Sequence, residues 1–260
     1  TVALSGDGGD ELFFGYDRFR SIGKNHSFWH YPYWIRYGLR GLDKLIFNEK
    51  HINECILSSN PGTSHWGLHC RFPYRWLNQI APNLIHIDAP SLFGVYNYTN
   101  PASQEELLYN TRKAEFYGML QKTLTKVDKA SMAHGLEVRV PLLKKSLVED
   151  ILRMGIRIHQ PMQGRKRILY NLLDKCYPFI PPEKTKKGFS ISLSNWLKKN
   201  YQKPFRQVLL DQNYCDTFGF DKNAIKSMLV SHNSNHQDLQ WPLFSLYSLA
   251  IWNKEGRSLV

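Results

Sequence analysis

Ser5-Gly6-Asp7-Gly8-Gly9-Asp10-Glu11 packs three carboxylates and three glycines into seven residues, directly after the apolar start Thr1-Val2-Ala3-Leu4. Residues 1–4 read as a buried strand and Glu11–Arg20 as a helix, so the stretch is a strand, a glycine turn and a helix in succession. Glycine admits positive φ and lets a ligand approach the backbone. Carboxylates beside a helix N-terminus are favoured by its partial positive charge. A Walker loop would need Gly-Lys-Ser/Thr, and a dinucleotide fingerprint would need glycine where Glu11 stands. An EF-hand loop opened at Asp7 would need an acid where Arg18 stands. Bare phosphate would be repelled by three carboxylates. A hard divalent cation placed between carboxylate and phosphate, as Mg²⁺ commonly is, satisfies both. An ordinary solvated turn with an acidic helix start is the competing reading.

Outward from that turn, residues 25–100 are aromatic-rich and broken by Pro32, Pro61, Pro73, Pro82 and Pro90, with a helical piece at Trp34–Phe47. Ser103 followed by Glu106 forms a capping box, in which hydroxyl and carboxylate satisfy orphaned backbone donors. Leu120, Leu124 and Val127 continue the helical rhythm, and Gly135 supplies a left-handed stop. Leu136–Val140 must be extended, because Pro141 disfavours helix before it. Short helices follow at Lys145–Met154, Lys166–Lys175 and Leu193–Lys199. Trp241–Trp252 is apolar nearly all round and reads as packed inside. Between Lys126 and Arg139, Lys126 and Lys129 share a helical face with Asp128 beside them, and Glu137 and Arg139 alternate on the extended piece. A buried ion-pair network is one reading of this corner and an anion-facing site is the other; His134 reads as a satisfied core histidine.

Composition bounds the rest. The 260 residues are 42% hydrophobic and 13% aromatic, enough to fill a core, which excludes disordered, collagen-like and disulfide-miniprotein classes. Apolar runs stay short of the roughly 18 residues that a membrane span requires. Four cysteines without a C-x-x-C pair make no disulfide framework, so a reducing cytoplasmic setting is expected. The net charge of +12 is concentrated in residues 161–206, where 11 Lys/Arg face only Asp174 and Glu183. That run implies an anionic partner, but no nucleic-acid recognition module accompanies it. His65 and His69 stand four apart next to Cys70, with Cys55 upstream, a weak zinc pattern without paired cysteines. The start at Thr1, without an initiator Met, reads as a cut through a domain.

The loop Ser5–Tyr16, the segment Lys126–Pro141, Lys187-Gly188-Phe189 with Trp196-Leu197, and the Trp241–Trp252 segment together resemble the signature stretches of glutamine-dependent asparagine synthetases, in family order. The resemblance implies an α/β fold of the ATP-pyrophosphatase type (adenine nucleotide alpha hydrolase-like), with the portion present here mainly helical. It implies ATP and Mg²⁺, aspartate as acceptor, and glutamine-derived ammonia as nucleophile. By the same resemblance Asp10 matches a Mg²⁺ ligand, and Asp7 an acidic position, often Glu in the family, that handles protons as ammonia attacks. Lys166, in Gly164-Arg165-Lys166-Arg167-Ile168-Leu169, matches the lysine that neutralises charge at the α-phosphate. Ser5, Gly6, Gly8, Gly9 and Glu11 build the loop, and Lys126, Asp128 and Arg139 shape the site.

The chain departs from the family in several places. It reads Pro141-Leu142-Leu143-Lys144 where Pro-Phe-Leu-Asp is usual, and Ser192 where proline is usual. The pyrophosphate loop Ser-Gly-Gly-x-Asp-Ser and the N-terminal glutaminase cysteine are absent from the sequence. Residues 1–260 are therefore expected to be the C-terminal part of a synthetase domain, completed by an N-terminal half in cis or in trans and compatible with a homodimer. Two alternatives stand beside asparagine synthesis. One is a non-catalytic remnant or partner-dependent subunit, and the other is a related amidotransferase acting on another carboxylate.

Overall fold

The computed structural model describes residues 1–47, 58–70, 72–84, 94–99, 101–178, 192–199 and 202–256. Lys187-Gly188-Phe189, Cys55, and Lys184 and Lys186 of the basic run lie outside them. The chain divides into two compact units, residues 1–69 with 89–184, and residues 70–88 with 185–260.

The first unit contains the strand pair. β1 (Val2–Leu4) runs parallel to β2 (Glu137–Arg139), with Val2 opposite Glu137 and Leu4 opposite Arg139. The strand expected at residues 1–4 exists, but it is not buried: Val2 is 51% and Leu4 75% exposed. Parallel strands are normally covered on both faces. Among the described residues, nothing covers the face that Val2 and Leu4 present.

The helix expected over Glu11–Arg20 is two helices, α1 (Gly9–Leu12) and α2 (Asp17–Lys24). Phe14, at φ 57°, takes the left-handed conformation between them. Leu12-Phe13-Phe14 is the cause. One helical face cannot bury three consecutive large apolar residues, whereas the kink sends Phe13 with Leu12 and Ile151 into one cluster and Phe14 with Phe19, Leu108 and Ile156 into another. The left-handed cost for a bulky residue, about 1–2 kcal/mol, is small beside the burial of two phenylalanines at roughly 1.5–3 kcal/mol each.

A short 3₁₀ turn (His26–His30), α3 (Tyr33–Phe47) and α4 (Pro61–His69) follow; the second unit contributes α5 (Tyr74–Ile80). The first unit's long rod is α6 (Gln104–Ala114), one π-helical turn (Glu115–Met119) and α7 (Leu120–Met132) in unbroken succession. The Ser103 hydroxyl accepts from the Glu106 amide at 3.1 Å, and the Glu106 carboxylate accepts from the Ala102 amide at 2.7 Å. The expected box forms, closed one residue early. Gly135, at φ 63°, ends the turn into β2. α8 (Lys145–Arg153), α9 (Ile156–His159) and α10 (Arg167–Cys176) complete this unit.

The second unit adds α11 (Leu193–Lys199), α12 (Gln202–Leu209), α13 (Gln212–Phe218), α14 (Lys222–Asn233) and α15 (Gln240–Gly256). Its core is a single apolar cluster that includes Ile80, Leu209, Ile225, Met228 and Leu243. α15 is only half interior: Pro242, Leu243, Leu246 and Ala250 are buried, while Trp241, Phe244 and Trp252 reach the surface. The residues between Trp241 and Trp252 therefore do not all pack inside, as expected from their apolar character alone.

Candidate active site at the acidic glycine turn

The turn between β1 and α1 gives its three carboxylates three different surroundings. The Ser5 hydroxyl donates to Asp7 at 2.7 Å, fixing a half-buried carboxylate at the mouth of the loop. Asp10 pairs with Lys166 at 3.0 Å, each side chain about a quarter exposed. Glu11 turns inward and is 3% exposed. Burial pushes its carboxyl above the usual carboxylate range, and the hydrogen bond it accepts from the Tyr16 hydroxyl at 2.7 Å only partly offsets this. Burial and the same bond raise the Tyr16 phenol well above its ordinary value.

Lys166 lies 156 positions from Asp10 and reaches it because the chain before α10 is pinned to the loop. Its amide donates to the Phe13 carbonyl at 3.1 Å, and at φ 46° it is the left-handed cap of α10. Next to it Arg165 grips Asp17 at the start of α2 with two hydrogen bonds. Two glycines accommodate tight packing around the turn, and Gly15 is the one at the Asp10–Lys166 contact. Gly8, at φ 85°, sits where any Cβ would strike Leu143, and a Cβ on Gly15 would overlap Asp10 Oδ1 and lie 2.5 Å from Lys166 Cε. A Cβ on Gly9 would meet Leu142 Cδ1 at 3.0 Å and lie 3.7 Å from Lys166 Nζ.

The expected site residues thus divide. Ser5, Asp7, Gly8, Gly9, Asp10 and Lys166 are brought together, and Glu11 supports them from beneath; Gly6 is exposed at the mouth. Arg139 lies beside the loop through its backbone, since the Ser5 amide donates to its carbonyl at 2.9 Å. Its exposed guanidinium pairs with exposed Glu137 at 2.9 Å. Lys126 and Asp128 are exposed on α7, and no described ion pair ties them to the loop. The corner from Lys126 to Arg139 is therefore not a buried ion-pair network, and His134 is exposed rather than held in a core. Both expectations came from apolar spacing alone, which cannot say what covers a face. Gly15, Tyr16 and the Arg165–Asp17 clamp carried no assignment. Gly15, Tyr16 and Arg165 stand within the quoted motif stretches and Asp17 directly after one, which was the only local sign.

Chemically, the cluster offers hard carboxylate oxygens next to a primary ammonium. That donor set fits Mg²⁺, which takes oxygen ligands and shares them with phosphate. Lys166 fits the phosphate itself as a positioned positive charge.

A family model described as asparagine synthase matches residues 1–254. The chain is similar to the Bacillus subtilis (strain 168) protein named asparagine synthetase (glutamine-hydrolyzing) 1, at 24% identity over 97% of this chain and 40% of that protein. It is similar at 22% identity, over 97% of this chain and 39% of the relative, to proteins of Mycobacterium bovis and Mycobacterium tuberculosis H37Rv whose names assign them provisionally to the same enzyme. The chain spans about two fifths of the length of these curated relatives. No solved structure is significantly similar to it. Among the described residues no helix is long and apolar enough to cross a membrane.

Proposed function

The chain belongs to the asparagine synthase family, and from that premise we propose that it carries one wall of the active site of an ATP-dependent ligase making asparagine. The observation behind this reading is the Asp10–Lys166 pair, held at 3.0 Å on a glycine turn from opposite ends of the first unit. In the proposed reaction the aspartate side-chain carboxylate attacks the α-phosphorus of ATP and pyrophosphate leaves. Ammonia from glutamine then attacks the activated carbonyl, and AMP leaves. Negative charge grows on the α-phosphate oxygens in the first step, where a preorganised cation lowers the barrier without reorganising. Lys166 fills that role, its amide and carboxylate contacts holding Nζ in place.

Asp10 is the residue that would hold Mg²⁺, which when bound neutralises the departing pyrophosphate. Asp7, which accepts from the Ser5 hydroxyl, would take a proton as ammonia attacks. Exposed Gly6 would let phosphate approach the backbone, buried Gly8 and Gly9 would shape the turn against Leu143 and Leu142, and Glu11 would fix the loop from below. Arg139, joined to Ser5 through its backbone, would shape the outer rim, and Lys126 and Asp128 are given the same role by family resemblance alone. The strand pair β1–β2 would belong to the parallel sheet of an ATP-pyrophosphatase fold, with the remaining strands and the glutaminase supplied by the N-terminal half of the full-length protein.

Of the anionic partners open to the basic run, nucleotide is the one this reading selects, because Lys166 of that run lies beside Asp10 at the glycine turn. The test is Asp10→Asn in the full-length protein, assayed for aspartate-dependent AMP and pyrophosphate release. A loss of about 10²–10³-fold in turnover is expected, the cost of removing one preorganised charge. Near-wild-type turnover would remove Asp10 from the mechanism. Robust activity only with a different carboxylate acceptor would move the protein to another amidotransferase.

A further inference from the structure

Away from the glycine turn, the first unit buries a second polar cluster that the proposed reaction does not use. His65 and His69 stand one turn apart on the same face of α4, and Glu115 opens the π-helical turn opposite them. Glu115 Oε1 lies 2.7 Å from His65 Nε2 and 3.0 Å from His69 Nε2, and the two imidazole nitrogens are 3.2 Å apart. His65 and Glu115 are fully buried, and His69 is 8% exposed at the rim. From the far side the Arg18 guanidinium holds both carboxylate oxygens, with Nη2 at 2.6 Å from Oε2.

The cluster has ordered surroundings. The Tyr98 hydroxyl lies 2.9 Å from His65 Nδ1, and the neighbouring Thr111 hydroxyl donates to the Leu107 carbonyl at 2.7 Å. One donor atom from each of His65, His69 and Glu115 faces the other two within the span of a single metal ion, while Arg18 lies on the carboxylate from the other side.

We propose that His65, His69 and Glu115 bind one divalent transition-metal ion, zinc by its preference for mixed imidazole and carboxylate donors. Two histidines and a carboxylate are an established zinc ligand set, with metal–ligand distances of about 2.0–2.2 Å, and a tetrahedron of that size has edges of about 3.3 Å. The three ligand atoms already stand at 2.7, 3.0 and 3.2 Å from one another. Tyr98 at Nδ1 of His65 and Arg18 on both oxygens of Glu115 supply the outer contacts that orient metal ligands. The π turn widens the rod at the residue that must reach across, and such turns recur at functional sites. Close packing of α4 on the 94–99 segment is what delivers the histidines: a Cβ on Gly62 would overlap the Tyr96 carbonyl oxygen. Cys70 and Cys55 are not needed. The i, i+4 histidines pair with a glutamate 46 positions further on, which no local spacing reveals.

The test is elemental analysis of the full-length protein, purified without a histidine tag from zinc-supplemented medium and dialysed against a weak chelator. About one metal ion per chain is expected in the wild type, falling below about a tenth in His69→Gln. X-ray absorption on the wild-type protein provides the second measurement, independent of whether that variant folds. A first shell of nitrogen and oxygen at about 2.0–2.1 Å with imidazole scattering is expected, and sulfur at about 2.3 Å would place the metal elsewhere. A wild type with less than a tenth of an equivalent, or undiminished metal in a folded His69→Gln, overturns the site and leaves a proton-linked His–Glu–Arg cluster. None of these readouts depends on ligase activity, so the outcome is separable from the proposed reaction.

Discussion

Gly15→Ala is the sharpest test of the active-site geometry, because it adds one methyl group and removes no functional atom. The added Cβ would overlap Asp10 Oδ1 and stand 2.5 Å from Lys166 Cε, whereas real Cβ contacts essentially never fall below 3.0 Å. Both side chains must therefore withdraw, the carboxylate by about an ångström, and the ion pair at 3.0 Å opens beyond bonding distance. The pair is partly exposed, so its loss costs stability no more than about 1 kcal/mol. Displacing a catalytic group by an ångström, by contrast, costs about 10²-fold in rate. The assay is aspartate-dependent pyrophosphate release by the full-length protein, beside its thermal melting curve. We expect turnover to fall about 10²-fold with the melting transition nearly unmoved. Gly38→Ala, in α3 where nothing lies within 4 Å of the added carbon, is the matched control. It should leave turnover intact and raise stability by up to about 1 kcal/mol, since alanine is the better helix former. Turnover within threefold of wild type in Gly15→Ala would show that the Asp10–Lys166 geometry does not limit the reaction.

Two further predictions follow from local physics. Lys144 occupies the N-cap of α8 without a side-chain cap bond, so Lys144→Asp should stabilise the protein by about 1 kcal/mol and leave turnover unchanged. A drop in turnover without a stability change would move Lys144 into the site. Burial and the neighbouring Arg112 depress the His159 imidazole to about 4, against an ordinary value near 6.5. The unfolded chain takes up the proton first, so folded stability contributed by neutral His159 is complete above pH 6.5. It declines as pH falls towards 4, with a ceiling of about 3 kcal/mol. Urea midpoints at pH 7 and pH 5 for wild type and His159→Gln measure this, and an equal pH dependence in both proteins would refute it.

The elements legible in the sequence were those written in local chemistry. Ser103 and Glu106 announce the start of α6, Gly135 the stop before β2, and Pro141 the extended run before it; Leu193–Lys199 is helical over the expected bounds. The break at Phe14 was not legible, because helical propensity is continuous through Leu12-Phe13-Phe14 and only the existence of two separate cores forces the kink. Exposure was misjudged at both ends of the scale. Val2 and Leu4 look interior by hydropathy but present an open strand face, and Glu11 looks solvated but is buried under Tyr16. Asp10 and Lys166 were each assigned from the motifs around them. That they touch is a tertiary fact, made by the Lys166 amide on the Phe13 carbonyl. Glu115 had no local signal, as its partners come from another helix.

The buried polar contacts also explain why the loop keeps its shape. α1 is four residues long, too short for a macrodipole to organise three carboxylates. Glu11 is instead held by the Tyr16 hydroxyl, the Tyr16 ring carries the Arg18 guanidinium at 3.6 Å, and Arg18 grips Glu115 with both branches of its fork. Arg18 compensates a carboxylate that would otherwise be an uncompensated buried charge, a fault costing several kcal/mol. Burial alone would raise the Glu115 carboxyl, yet the hydrogen bonds from His65, His69 and Arg18 hold it well below the usual range. Each link is needed because the next one is buried, and the sequence ends at the backbone of the loop that presents Asp10. A cation bound at the histidines would therefore brace the loop from behind without touching the substrate. Glu11 is spent on this anchorage, whereas its sequence neighbours Asp7 and Asp10 face Ser5 and Lys166 at the partly exposed side of the loop.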